Sequence, residues 1–153
     1  MTQEKTVQDL INNDRLVRLS PHATVTQASR EMLRHHIGAV VVEDAQRTVG
    51  IVTERDINFR VVAAGQDPTI TRLCDIMTPD PTLMPPSTKV TDALRLVVNN
   101  RYRYALVGQN HKAVGIVLVS RIFAEVTKQL GNNVEDIDHF IRDGVVSDGG
   151  ALH

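Results

Sequence analysis

The sequence predicts an α/β (α+β) fold made of two copies of a strand–helix–strand–strand–helix unit, and three observations carry that expectation. The first is a repeat. Val49-Gly50-Ile51-Val52 returns as Val114-Gly115-Ile116-Val117, an offset of 65 residues. The same offset aligns Pro21 with Pro86, Val25 and Thr26 with Val90 and Thr91, Ala28 with Ala93, Arg30 with Arg95, Val42 with Val107 and Ile57 with Ile122. No gap is needed, and a register kept over about a hundred residues marks a true internal repeat. The second is the kind of apolar residue. The 153-residue chain is 42% hydrophobic but 3% aromatic, with no Trp, and Tyr102, Tyr104, Phe59, Phe123 and Phe140 are its only rings. Such a core is aliphatic and valine-rich, which suits pleated strands. The third is periodicity, which changes along each copy from strand-like to helical and back.

Each copy reads the same way in order. A short segment precedes it, Val7–Ile11 or Leu73–Met77, paired at an offset of 66. A lead-in containing proline follows, Leu19-Ser20-Pro21 or Met84-Pro85-Pro86. Apolar positions at helical spacing come next: Val25, Ala28, Met32 and Leu33, then Val90, Ala93, Leu94, Val97 and Val98. An apolar run from Ile37 to Val42, or Tyr104 to Val107, predicts a strand. Polar turns at Asp44-Ala45-Gln46 and Gln109-Asn110-His111 predict hairpins into second strands, Thr48–Val52 and Ala113–Val117. A closing helical segment ends near Gly65 or Gly131. Strands apolar on both faces call for helical cover. The units are placed at residues 5–66 and 67–131, followed by a short acidic tail at 132–153. In that tail Val134, Ile137, Phe140 and Ile141 share one helical face, which fits either a solvated end or a segment that docks on a partner.

Several function classes are excluded at this level. A net charge of −1 provides no electrostatic footprint for nucleic acid. No apolar run approaches the roughly 18 residues of a membrane span. The start, Met1 to Lys5, lacks the layout of a secretion signal. A single Cys74 makes no internal disulfide and points to a reducing compartment, so a soluble cytoplasmic protein is expected. Cys74 itself reads as a packed small residue. His35 and His36 face different directions on a helix, and Asp136, Asp138 and His139 match no metal-binding loop, so no metal is expected. No nucleophile–base order or glycine-rich phosphate loop stands out, so no catalytic residues are assigned and the chain is not expected to be an enzyme.

The segment Gly50-Ile51-Val52-Thr53-Glu54-Arg55-Asp56 carries the most chemical information. Thr53 stands at a helix N-cap with Asp56 three residues on, the pattern of a capping box. The same geometry offers free N–H groups, a positive dipole and a hydroxyl to a phosphate. A carboxylate one turn in can also accept two hydroxyls, as from a ribose. Both readings stay open at this point, and they are compatible.

The doubled unit, the Asp75-Ile76-Met77-Thr78 linker and the Gly50–Ile57 segment together resemble a tandem pair of CBS (cystathionine β-synthase) domains, a Bateman module. The resemblance covers about residues 5 to 130. It implies a pseudo-twofold pair with two clefts for adenosine-containing ligands, in which the Thr of a Gly-x-x-Thr-x-x-Asp pattern meets phosphate and the Asp holds ribose. Carried over, Thr53 and Asp56 take those roles and Arg55 lies beside the phosphate position. The second copy departs from the pattern, since Leu118 and Arg121 stand where Thr53 and Asp56 do. One adenosyl site is therefore expected, with the second cleft empty or weak. The strand before each hairpin is implied to contribute Ile37, Gly38, Tyr102 and Arg103. Gly38 would let a flat base approach the backbone, or would simply end the preceding helix. Arg101 and Arg103 read as alternating strand residues on one face, with Arg103 favoured as the phosphate partner.

The expected function is a stand-alone regulatory module that binds AMP, ADP, ATP or S-adenosylmethionine, requires no cofactor, forms a homodimer and signals to an effector protein. The competing class is a structural or protein-interaction module with vestigial clefts, in which Thr53 and Asp56 only cap a helix.

Overall fold

A computed structural model describes residues 4–11 and 16–131; the tail at 132–153, with Phe140 and its neighbours, lies outside them. A 3-10 turn at Val7–Leu10 precedes β1 (Arg18–Leu19), α1 (Val25–His35), β2 (Ala39–Asp44) and β3 (Arg47–Thr53). Helix α2 (Glu54–Ile57) runs on into a wider π-type turn at Asn58–Val62. The short α3 (Leu73–Ile76) and β4 (Thr78–Pro79) lead to the second copy. That copy comprises β5 (Leu83–Met84), α4 (Val90–Asn100), β6 (Tyr104–Gln109), β7 (Lys112–Leu118) and α5 (Val119–Gln129). The β-α-β-β-α order is thus present twice. In each copy the first strand runs parallel to the second, which forms an antiparallel hairpin with the third. β4 extends the first sheet beside β3.

The repeat is kept down to backbone detail. α1 buries Val25, Ala28 and Met32, and α4 buries Val90, Ala93, Leu94 and Val97. Thr24 and Gln27 cap α1 reciprocally, at 3.2 and 2.8 Å. The helices end one repeat apart at His36 and Arg101, both in the left-handed region with φ of 51° and 56°. Leu33, expected on the apolar face of α1, instead points outward and is 74% exposed. Each hairpin carries a register shift at the same place, after Val42 and after Val107. Each turns through two residues at positive φ: Ala45 and Gln46 at 49° and 64°, Asn110 and His111 at 55° and 61°. These are type I′ geometries, whose twist matches the flanking strands.

The lead-in segments cross over. Val7 and Leu10 lie in the core of the second copy, beside Val90, Val107 and Ile122. Leu73 and Ile76 lie in the core of the first, beside Val25, Val41 and Val52. Backbone hydrogen bonds fix both: Val7 N to Thr88 O at 2.9 Å and Val90 N to Lys5 O at 3.0 Å, matched by Leu73 N to Ala23 O at 2.9 Å and Val25 N to Thr71 O at 3.0 Å. Burying each such aliphatic side chain contributes about 1.5–3 kcal/mol. The copies also meet where the third strands approach. Ala113 N donates to Thr48 Oγ1 at 2.9 Å, and these two residues are 65 apart, so the approximate twofold axis passes beside them. Thr48 N donates to His111 O at 2.8 Å. Leu106, Ala113 and Ile116 of the second copy pack into the core of the first.

Cys74, expected to be packed, is exposed on α3, because Leu73 and Ile76 take the inward positions of that single turn. Among the described residues no helix is long and apolar enough to cross a membrane.

Two outcomes are expected. Leu10→Ala destabilises the chain by about 2–5 kcal/mol, and hydrogen exchange shows the loosening around α4 and α5, in the distant half of the sequence. Replacing Ala45-Gln46 by Asn-Gly relieves two left-handed non-glycine residues, raising stability by about 1 kcal/mol and the melting temperature by about 2–4 °C.

Candidate functional site

The end of β3, the linker and the α4–β6 junction enclose a cleft of ≈ 320 Å³ between the two copies. Thr53, Arg55 and Asp56 reach it from the first copy, and Arg101, Tyr102, Arg103 and Tyr104 from the second. Thr78, Asp80 and Thr82 form the linker wall, with Ile51, Met84 and Leu106 supplying apolar surface. Its volume stands at the small end of the roughly 300–1,000 Å³ of small-molecule pockets.

Thr53 ends β3 in extended conformation and caps α2. Its hydroxyl accepts from Asp56 N at 3.3 Å and donates to Asp56 Oδ2 at 3.0 Å, while Thr53 N donates to the same oxygen at 2.9 Å. The capping box is therefore present. Asp56 Oδ1 remains outside it, 3.9 Å from Arg60 Nε. Arg60 in turn donates to the carbonyls of Ile76 and Met77, at 2.8 and 3.3 Å, which ties the π-type turn after α2 to the linker. The Arg55 guanidinium lies 5.1 Å from the centre of the Phe59 ring, and Phe59 is exposed rather than packed.

On the opposite wall Arg103 Nη1 reaches Glu54 Oε1 at 3.7 Å, bridging the two copies. Tyr102 Oη donates to Thr82 Oγ1 at 3.3 Å. Burial raises the Tyr104 hydroxyl above its ordinary value of 10.0, and the Glu54 carboxylate adds to that rise. The Gly38 backbone and Arg103 act in the opposite direction. Among the described residues Arg101 makes no ion pair, and no three His, Cys, Asp or Glu side chains gather as metal ligands.

Five of the seven residues singled out from the sequence thus share one cleft: Thr53, Arg55, Asp56, Tyr102 and Arg103. Ile37 is not among its lining residues; it is buried in the first core. Gly38 also lies off the lining, and it does not end the preceding helix. His36, not Gly38, takes the left-handed position that ends α1. A Cβ at Gly38 would sit 2.5 Å from Tyr104 Oη and 2.8 Å from Glu54 Oε1, so glycine leaves the space that the ends of those two side chains occupy. Arg101 and Arg103 are not alternating strand residues. β6 begins only at Tyr104, and the left-handed turn at Arg101 brings both arginines to the cleft.

Sequence reasoning missed Tyr104 and the linker wall Thr78–Thr82. Tyr104 read as the start of a buried strand, and nothing local marks a linker as a pocket wall. In the second copy Leu118 occupies the same N-cap backbone position, with no side-chain cap, and Arg121 is exposed.

The CBS domain family model matches residues 7–62 and 73–128. The chain is 37% identical over 125 residues to an uncharacterized 17.7 kDa protein of Acidianus ambivalens, covering 78% of this chain and 74% of that protein. It is 30% identical over 126 residues to the mitochondrial CBS domain-containing protein CBSX3 of Arabidopsis thaliana, covering 79% of this chain but 61% of that one. Among solved structures it resembles a hexameric CBS-CP12 protein from bloom-forming cyanobacteria, with a TM-score of 0.74, 29% identity, and 88% and 79% of the two chains covered. Since the family model matches both copies and most of the chain, this protein belongs to the CBS domain family as a tandem pair.

Proposed function

We propose that this chain is a regulatory module that takes a phosphorylated adenosine ligand, AMP, ADP or ATP, into the Thr53–Arg103 cleft and passes the bound state to an effector protein. CBS domains are generally regulatory and generally take adenosine-containing ligands. The observation that carries the reading is the convergence of Thr53, Arg55 and Asp56 with Arg101 and Arg103 on one cleft from two copies of the repeat. Asp56 Oδ1 is the acceptor for ribose hydroxyls, since Oδ2 serves the cap. The guanidinium groups of Arg55, Arg101 and Arg103 meet phosphate, and Tyr102 and Tyr104 flank the base. That excess of cations favours phosphate over the cationic sulfonium of S-adenosylmethionine. The chain acts without catalysis, as a cytoplasmic homodimer, and the second cleft, with Leu118 and Arg121, stays empty or weak.

A second reading has one observation in its favour: Thr53 and Asp56 already form a complete capping box with each other. In that case the clefts are vestigial and the chain is an interaction module.

Thermal melts with adenine nucleotides and S-adenosylmethionine separate the two. A nucleotide at a hundred times its Kd adds about 2.7 kcal/mol, or about 5–10 °C in a chain of this size. A response to S-adenosylmethionine alone reverses the ligand assignment, and no response to any adenosyl compound at millimolar levels overturns the sensor reading. Asp56→Ala is expected to lose the response while costing about 0.5–2 kcal/mol of cap.

Tyr104 adds a pH test. Its proton is held more tightly folded than unfolded, so this contribution to stability is present below the ordinary phenol pKa and lost as pH rises through the folded one. In Tyr102→Phe, which leaves one tyrosine, ultraviolet absorbance follows Tyr104 alone, and its midpoint is expected above 10.0.

A further inference from the structure

Three cationic side chains reach the cleft, and they are not equivalent. Arg55 lies over Phe59, and Arg101 has no carboxylate partner among the described residues. Arg103 is held by Glu54 of the other copy at 3.7 Å. The Glu54 carboxylate also lies with the Tyr104 hydroxyl over the bare α-carbon of Gly38, where a Cβ would meet both. Its backbone N donates to Gly38 O at 2.8 Å, which fixes the start of the side chain. Both members of the pair are more than half exposed, at 64% and 60%, so the contact is weak enough to exchange.

An anion that needs Arg103 must therefore compete with a carboxylate the protein already supplies. We propose that Glu54 is a specificity-determining gate: it holds the Arg103 guanidinium until a phosphate group displaces it, and so raises the charge a ligand must carry. This rests on the functional reading above and adds a residue that opposes binding. Weakly charged or neutral adenosine compounds gain nothing from Arg103, because they cannot displace Glu54. A phosphate monoester at neutral pH, with a charge near −1.5 to −2 and several acceptor oxygens, can. The exchange breaks one ion pair and forms a stronger one, with no covalent step.

The test is a double-variant cycle with AMP as probe and adenosine as control, read by isothermal titration calorimetry on the full chain. Glu54→Gln is expected to tighten AMP binding about twofold to fivefold, the range for releasing an exposed ion pair, and to leave adenosine affinity unchanged. Arg103→Met weakens AMP binding, and adding Glu54→Gln to it restores nothing, because the gate acts through Arg103. Glu54→Gln with no gain for AMP overturns the gate alone. An equal gain in the Arg103→Met background also overturns it, since a bulk change in charge then accounts for the effect. AMP binding to none of the four proteins overturns the functional reading and the gate with it.

Discussion

Val7 and Leu10 are buried in the core of the second repeat, and Leu73 and Ile76 in the core of the first. A unit of three short strands and two helices, about sixty residues, buries little enough surface alone to be marginally stable. Each completes its core with the segment that precedes the other. The Thr48–Ala113 contact adds a polar lock at the approximate axis, where one chain meets its own repeat. Everything else depends on this exchange. It fixes the distance between the end of β3 and the start of β6, so residues almost fifty positions apart become opposite walls of one cleft.

Near-symmetry of the backbone makes the asymmetry of the chemistry informative. Thr53 and Leu118 stand at the same N-cap position of their copies, but one offers a hydroxyl and the other a methyl-ended side chain. Gly38 and Arg103 are likewise one repeat apart. Glu54 N donates to the carbonyl of Gly38, and Val119 N to that of Arg103, at 2.8 and 3.1 Å. The fold thus presents two similar cradles and the side chains equip one. Glycine at 38 opens space in which Glu54 and Tyr104 come together, and arginine at 103 supplies the cation that Glu54 holds.

The cap and the candidate site share atoms, which explains why a sequence pattern leaves them undivided. Thr53 and Asp56 close a capping box with Oδ2 and the hydroxyl, leaving Oδ1 toward Arg60 and the linker. One carboxylate thereby serves helix geometry with one oxygen and faces the linker arginine with the other. Arg60 connects that oxygen to the carbonyls at the end of α3, the same helix whose Leu73 and Ile76 complete the first core.

The repeat, the order of elements, the hairpins and the Thr53–Asp56 pair were all legible in the sequence, because each depends on local spacing: period 2 for strands, 3.6 for helices, 65 for the copies. Five cleft residues were legible through the resemblance to CBS domains. What the sequence could not supply was anything decided by contact across the repeat. The crossing of Val7–Leu10 onto the second core, the exposure of Leu33 and Cys74, and the burial of Ile37 in the first core all follow from which surfaces meet. The left-handed turn at Arg101 ends the helix and brings both exposed arginines to the cleft, where a strand would have set an alternation. The Glu54–Tyr104–Gly38 cluster is likewise tertiary, since its members belong to three separate segments. Sequence alone determined the repeat and its periodicities, which are properties of neighbouring residues; the tertiary structure decided which charges face one another, because that depends on how the two copies close on each other.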